Sequence, residues 1–228
     1  MLVISQSRRR LAPTLIGAAL ALTITTLAHA ELVTDIANDF LPSYQGPKNG
    51  DMDALSSEVT LNTGNNTMTF TATMNGPVGT TAGGAWVWGL DRGKGAELFL
   101  PAFGAGVKFD SVLALSVDPT QPSAFIDIVN GGAVSPLAAG AVHVNGNTIS
   151  ATVPVSMLPS QGLAPASYTW NFWPESKLGQ APFVSDFAPD ARNAALTVVP
   201  EPSSAALAFV GLLAALVMRV RKTNFGIR

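Results

Sequence analysis

From residue 66 to residue 74 polar and apolar side chains alternate: Met68, Phe70, Ala72 and Met74 share one parity, and Thr67, Thr69, Thr71 and Thr73 the other. Successive side chains of an extended backbone point to opposite faces, so this segment predicts a strand with one packed face and one wetted face. Between Glu31 and Val199, period-two segments recur between clusters of Gly, Asn, Pro and Asp. They predict further strands near 55–61, 84–91, 97–100, 106–117, 123–129, 141–144, 148–155, 167–173 and 194–199. Asn62-Thr63-Gly64-Asn65 predicts the turn between the first two, and Asn145-Gly146 a tight hairpin. Roughly ten short strands without a long helical period predict an all-β body, an antiparallel β-sandwich or jelly roll. No fixed-period repeat is visible. The one internal echo, Asp39-Phe40-Leu41-Pro42 against Asp186-Phe187-Ala188-Pro189, is short enough to arise by chance.

The pattern changes at both ends. Arg8, Arg9 and Arg10 precede an apolar stretch from Leu11 to Leu27, which leads to Ala28-His29-Ala30. A basic start, an apolar middle and small residues before a cleavage point form a secretory signal, so residues 1–30 are expected to be removed by signal peptidase before Glu31. At the other end Pro200-Glu201-Pro202 leads into the apolar run Ala205–Met218 and then the basic stop Arg219, Arg221 and Lys222. Fourteen residues at a rise of about 1.5 Å make a helix of roughly 21 Å, short of a bilayer core of about 30 Å. Basic flanks stay on the cytoplasmic side, so both ends are expected to face inward with the body looped outside.

The order of motif, apolar run and basic cluster resembles the PEP-CTERM sorting signal, over roughly the last thirty residues. That resemblance implies a short transmembrane sorting helix read by an exosortase-like membrane enzyme in a Gram-negative bacterium. It implies an inner-membrane-anchored precursor that becomes a protein of the cell surface or extracellular matrix, in organisms that commonly make exopolysaccharide and biofilm. The expected division is residues 1–30 as signal peptide, 31–199 as β domain and 200–228 as sorting segment. Thr223–Arg228 extends beyond the point at which such signals usually end.

Composition sharpens the picture of the body. The hydrophobic fraction of 47% owes much to the two terminal runs, and seven of the thirteen basic residues lie with them. Residues 31–199 hold fourteen acids against six bases, a formal charge of −8. Such a body repels phosphate backbones, which argues against nucleic acid and anionic lipid as partners and confines membrane contact to the terminal segments. The absence of cysteine excludes disulfides, thiolate metal sites and a cysteine nucleophile.

Candidate chemistry is sparse. A Ser-His-Asp centre needs an imidazole, and the single histidine of the body, His143, sits beside the predicted Asn145-Gly146 turn without a nucleophile elbow. No catalytic residue stands out, and a non-enzymatic protein without a required cofactor is expected. Only a hard cation suits the inventory: Asp51 and Asp53, with Asp35 and Asp39 upstream, form a candidate structural Ca²⁺ site. Two alternatives stay open. Trp86 and Trp88 share a face with Asp91 and Arg92 just beyond, and Trp170 and Trp173 lie on one strand. Exposed, these would form a sugar-stacking platform of a carbohydrate-binding module; buried, they are core. A surface hydrolase would need two close carboxylates in a concave site, and the sequence singles out no such pair.

Overall fold

The computed structural model describes residues 31–117, 123–129, 132–199 and Leu212. The predicted signal peptide, the motif Pro200, Glu201 and Pro202, and the basic stop Arg219, Arg221 and Lys222 lie outside the described residues. Among the described residues, no helix is long and apolar enough to cross a membrane.

Twelve strands are described: β1 (Val33–Thr34), β2 (Ala54–Asn62), β3 (Thr67–Met74), β4 (Ala85–Asp91), β5 (Ser111–Ser116), β6 (Ser123–Ile128), β7 (Val134–Pro136), β8 (Val142–Asn145), β9 (Thr148–Pro154), β10 (Thr169–Glu175), β11 (Ala194–Ala195) and β12 (Thr197–Val199). They form two six-stranded sheets. The first has the order β1-β2-β3-β9-β8, with β12 also paired to β2; the second has the order β11-β10-β4-β5-β6-β7. All pairings are antiparallel except β12 on β2. The all-β body and its two sheets match the expectation of a sandwich.

Alternation decides which faces meet. Met68, Phe70, Ala72 and Met74 of β3 are buried, whereas the threonines between them are partly exposed. Facing them from the second sheet are Trp86, Trp88 and Leu90 of β4 and Trp170 and Phe172 of β10, all fully buried. Trp88 lies at the centre, 4.6 Å from Phe172 and 5.9 Å from Phe70 between ring centroids. Its Nε1 donates to Ser57 Oγ at 2.9 Å, while Trp86 Nε1 donates to the Asp51 carbonyl and Trp170 Nε1 to that of Ala195. Buried indoles contribute large apolar areas only if their N–H finds an acceptor, and all three do.

The second sheet is covered on its outer face too. Ala85, Val87, Ala114 and Trp173 form a smaller apolar cluster there with Phe109, Val184 and Phe187. This explains why β4 is buried along nearly its whole length although its sequence, Ala-Trp-Val-Trp-Gly-Leu-Asp, does not alternate. The cover is where strand prediction failed. Residues 97–100 form no strand; the segment folds over the sheet, and Phe99 packs on Phe103, Phe109, Trp173 and Phe187 at 5.1 to 5.4 Å. The strand predicted over 106–117 begins only at Ser111, because Gly104 and Gly106 turn the chain with φ of +68° and +82°. The two- and three-residue strands β1 and β7 are too short to show a period.

Both predicted turns are present. Asn62 Oδ1 accepts the amides of Gly64 and Asn65 between β2 and β3, and Gly146-Asn147 close the β8–β9 hairpin, with Asn145 paired to Thr148.

Candidate functional site

Two segments far apart in sequence meet at one edge of the sandwich. Residues 183–188 run beside β10, with backbone pairing of Ala188 to Phe172. The segment after β1 lies against them, the Leu41 amide donating to the Ser185 carbonyl and the Gln45 amide to the Pro182 carbonyl. This brings Asp35 and Asp39 to Asp186 and Asp190, and one carboxylate oxygen of each lies within 4.8 Å of all the others. Ligands on opposite sides of a Ca²⁺ ion stand about 4.6–5.2 Å apart, twice the usual Ca–O distance, so four oxygens within 4.8 Å of one another could share one such ion.

The electrostatics of this cluster are those of unneutralised charge. Burial pushes Asp186 up to about 8, and the like charges of Asp35 and Asp39 add to it against the Ala54 amide, which donates to Oδ2 at 2.9 Å. Burial also pushes Asp35 up to about 7, with Asp39, Asp190 and Asp53 adding to the shift. Asp39 is raised by the same causes. Asp35 Oδ2 is buried without a hydrogen-bond partner among the described residues, and so is Oδ1 of Asp53, a fully buried neighbour. The two ion pairs among the described residues, Arg92 with Asp110 and Arg192 with Glu31, lie elsewhere. Several carboxylates drawn together without a cation are costly unless protons or a metal ion neutralise them.

The aspartates that the structure groups differ from the candidate Ca²⁺ set read from the sequence. Asp35 and Asp39 belong to the cluster, but Asp51 does not; its carboxylate accepts the Thr81 amide and hydroxyl at 2.7 and 2.6 Å. Asp53 supports the cluster from behind, Oδ2 accepting the Asn38 amide and Asn75 Nδ2. Asp186 and Asp190 were missed because they lie about 150 residues downstream. A signal existed: both pairs have the form Asp-x-x-x-Asp, and the echo set aside as chance contains Asp39 and Asp186.

Of the two readings open for the tryptophans, the structure shows core. Trp86, Trp88 and Trp170 are fully buried between the sheets, since only large rings fill that space, and Trp173 is 3% exposed. Asp91 is tied to its own turn by the Gly93 and Gly95 amides, and Arg92, wholly buried, pairs with Asp110 through Nε at 2.7 Å. No exposed stacking surface is built from these residues. His143 is exposed on β8, opposite Ser150.

Trp173 instead helps to line a cavity on the outer face of the second sheet. In the pairing register Trp173, Val87, Ala114 and Phe125 stand side by side across β10, β4, β5 and β6. Gly89 leaves room for the indole: a Cβ there would stand 2.6 Å from Trp173 Cζ3. The cavity measures about 360 Å³, is lined among others by Phe99, Phe109, Leu178, Gly179, Ala181 and Val184, and includes Glu175 and Asp127. Burial pushes Glu175 up to about 7 against the Gly179 amide, which donates to Oε1 at 3.1 Å. Glu175 and Asp127 stand three strands apart, about 14 Å across the sheet at about 4.8 Å per strand, and are offset along it as well, since Asp127 is level with Asn171 in the register. A glycosidase pair needs roughly 5–9.5 Å, so these two carboxyls do not form one.

Comparison with models of protein families, with curated proteins and with solved structures gives no match.

Proposed function

We propose that this chain is an exported, non-enzymatic protein of the cell surface or extracellular matrix, sorted through its C-terminal segment and folded outside as a jelly-roll-like sandwich that Ca²⁺ holds together. The observation that carries the reading is the position of Glu31. Its amide donates to Thr197 Oγ1 at 3.0 Å, its Oε2 accepts the Ala195 amide, and Oε1 pairs with Arg192 at 2.7 Å. The first residue after the expected signal cleavage is thus bound to the strand that runs into the sorting segment. The two ends of the described body therefore lie together, which suits a precursor held to one bilayer by both ends.

Ca²⁺ fits the same reading. The ion would join the start of the body, at Asp35 and Asp39, to its end, at Asp186 and Asp190, and would do so after export, where millimolar Ca²⁺ suits the weak affinity typical of extracellular modules. The surface offered to an exopolysaccharide would then be the hydroxyl-lined outer face of the first sheet, where Thr69 and Thr152 bond each other at 2.9 Å. The test is expression in an exosortase-bearing Gram-negative host, with mass analysis of the cell-surface protein. A mature species that begins at Glu31 and lacks the terminal basic cluster is expected, and replacing Pro200, Glu201 and Pro202 with Ala should leave it in the inner membrane. Unchanged release of that variant would refute the sorting reading.

A further inference from the structure

The cavity on the outer face of the second sheet has a use that neither the sorting reading nor the acidic cluster supplies. Its floor and walls are apolar and aromatic, and Leu98 and Leu178 at its rim are exposed by 40% and 39%. Large apolar side chains left open beside a concave apolar surface mark a binding site more often than a bare surface. One group in it is out of keeping with the rest. Glu175 is 97% buried, given its 3% exposure, and its carboxyl lines the cavity with Oε1 held by the Gly179 amide and nothing among the described residues donating to Oε2. The nearest basic side chain in sequence, Lys177, is engaged elsewhere, its Nζ 4.0 Å from the centroid of the Phe183 ring.

A buried carboxylate without a cation, at one end of an aromatic-walled slot, is complementary to a positive charge carried on an apolar body. The aromatic walls add to that preference, because ring faces attract cations. The net charge of −8 on the body draws cations toward it from a distance. The volume, about 360 Å³, lies at the lower end of the range for small-ligand pockets, so the body is small.

We propose that this cavity is a binding site for a small organic ammonium compound, whose charged nitrogen pairs with Glu175 and whose apolar or aromatic body lies between Phe99, Phe125 and Trp173. The site is separate from the acidic cluster and does not depend on Ca²⁺.

Three probes of one shape test the idea: benzylammonium, benzyl alcohol and benzoate, titrated by calorimetry at pH 8, where Glu175 is ionised, into the full chain with Ca²⁺ present to occupy the acidic cluster. Benzylammonium is expected to bind at least tenfold more tightly than the alcohol, and benzoate not at all. Glu175→Gln keeps an acceptor for the Gly179 amide and should remove the preference for ammonium over alcohol. Should that variant fail to fold, amide chemical shifts of the wild type carry the test. Benzylammonium should then move Gly179, Val184 and Phe125, and leave Asp35 and Asp39 unmoved. Equal affinity for ammonium and alcohol, no binding of any probe, or shifts confined to Asp35 and Asp39 would overturn the proposal.

Discussion

Replacing Asp35 with Asn isolates the central claim about the acidic cluster, because it removes one charge and little else. The amide oxygen can still accept the Ile36 amide, as Asp35 Oδ1 does at 2.9 Å. The new NH₂ takes the place of the partnerless Oδ2 and becomes a donor facing the carboxylates of Asp39, Asp186 and Asp190. Asp35 is raised from 3.8 to about 7, chiefly by burial. At pH 8 and about 1.4 kcal/mol per unit, ionising it in the folded chain would cost ~4 kcal/mol if the group were fully enclosed. It is half-buried, and solvent screening brings the cost to about 1–2 kcal/mol. In chelator at pH 8 the variant should therefore be more stable than the wild type by that amount, which for a domain of this size is about 2–8 °C in Tm. Calcium should reverse the order. With an affinity near 10⁻⁴ M, 2 mM Ca²⁺ stabilises the wild type by roughly 2 kcal/mol, and a site short of one carboxylate gains less. Differential scanning calorimetry with EGTA and with CaCl₂ reads both effects. Asp51→Asn is the control: it loosens Thr81 and should lower Tm equally in both buffers. If Asp35→Asn lowers Tm in chelator and Ca²⁺ moves neither protein, the cluster is not a cation site.

Two further outcomes follow from the same physics. Asp35, Asp186 and Glu175 are raised to about 7, 8 and 7, so the folded chain holds protons that the unfolded chain releases at about pH 4. Their stabilising contribution is complete below pH 4 and is lost as pH rises through 7 to 8; the unfolding free energy from urea titrations in chelator should fall between pH 5.5 and 8.5 by ~1.4 kcal/mol per pH unit for each proton retained, and a flat or rising profile would contradict the assignment. Asp110→Ala should cost about 3–5 kcal/mol in urea unfolding, because it strands the fully buried Arg92 guanidinium, and a loss below about 1 kcal/mol would show that water reaches Arg92.

Much of the sandwich was legible in local pattern. Where one face of a strand is packed and the other wet, as in β3, alternation is written into the chain and the strand is found nearly to the residue. Where both faces are covered, as in β4, parity no longer separates packed from wet positions, although the strand expected over 84–91 is found at Ala85–Asp91. Phe99 shows the limit: an aromatic residue in a short apolar run suggests a strand, but its ring is needed as a lid over Trp173. The tryptophans carried two readings, and whether they formed core or platform depended on how many layers covered the second sheet.

The sequence by itself determined the all-β character, the acidic cysteine-free chemistry and the exclusion of thiolate sites, because these depend on composition and on side-chain parity along a short stretch. Tertiary structure alone decided which aspartates meet. The cluster joins residues 35 and 39 to 186 and 190, a pairing set by the segment beside β10 crossing the loop after β1, and no local period encodes such a crossing. It likewise decided that Glu175 is nearly buried and lines a cavity, since its neighbours there come from β4, β5, β6 and two separate loops. Local alternation selects a face; the burial of a charge on that face is fixed by whatever the rest of the chain lays over it.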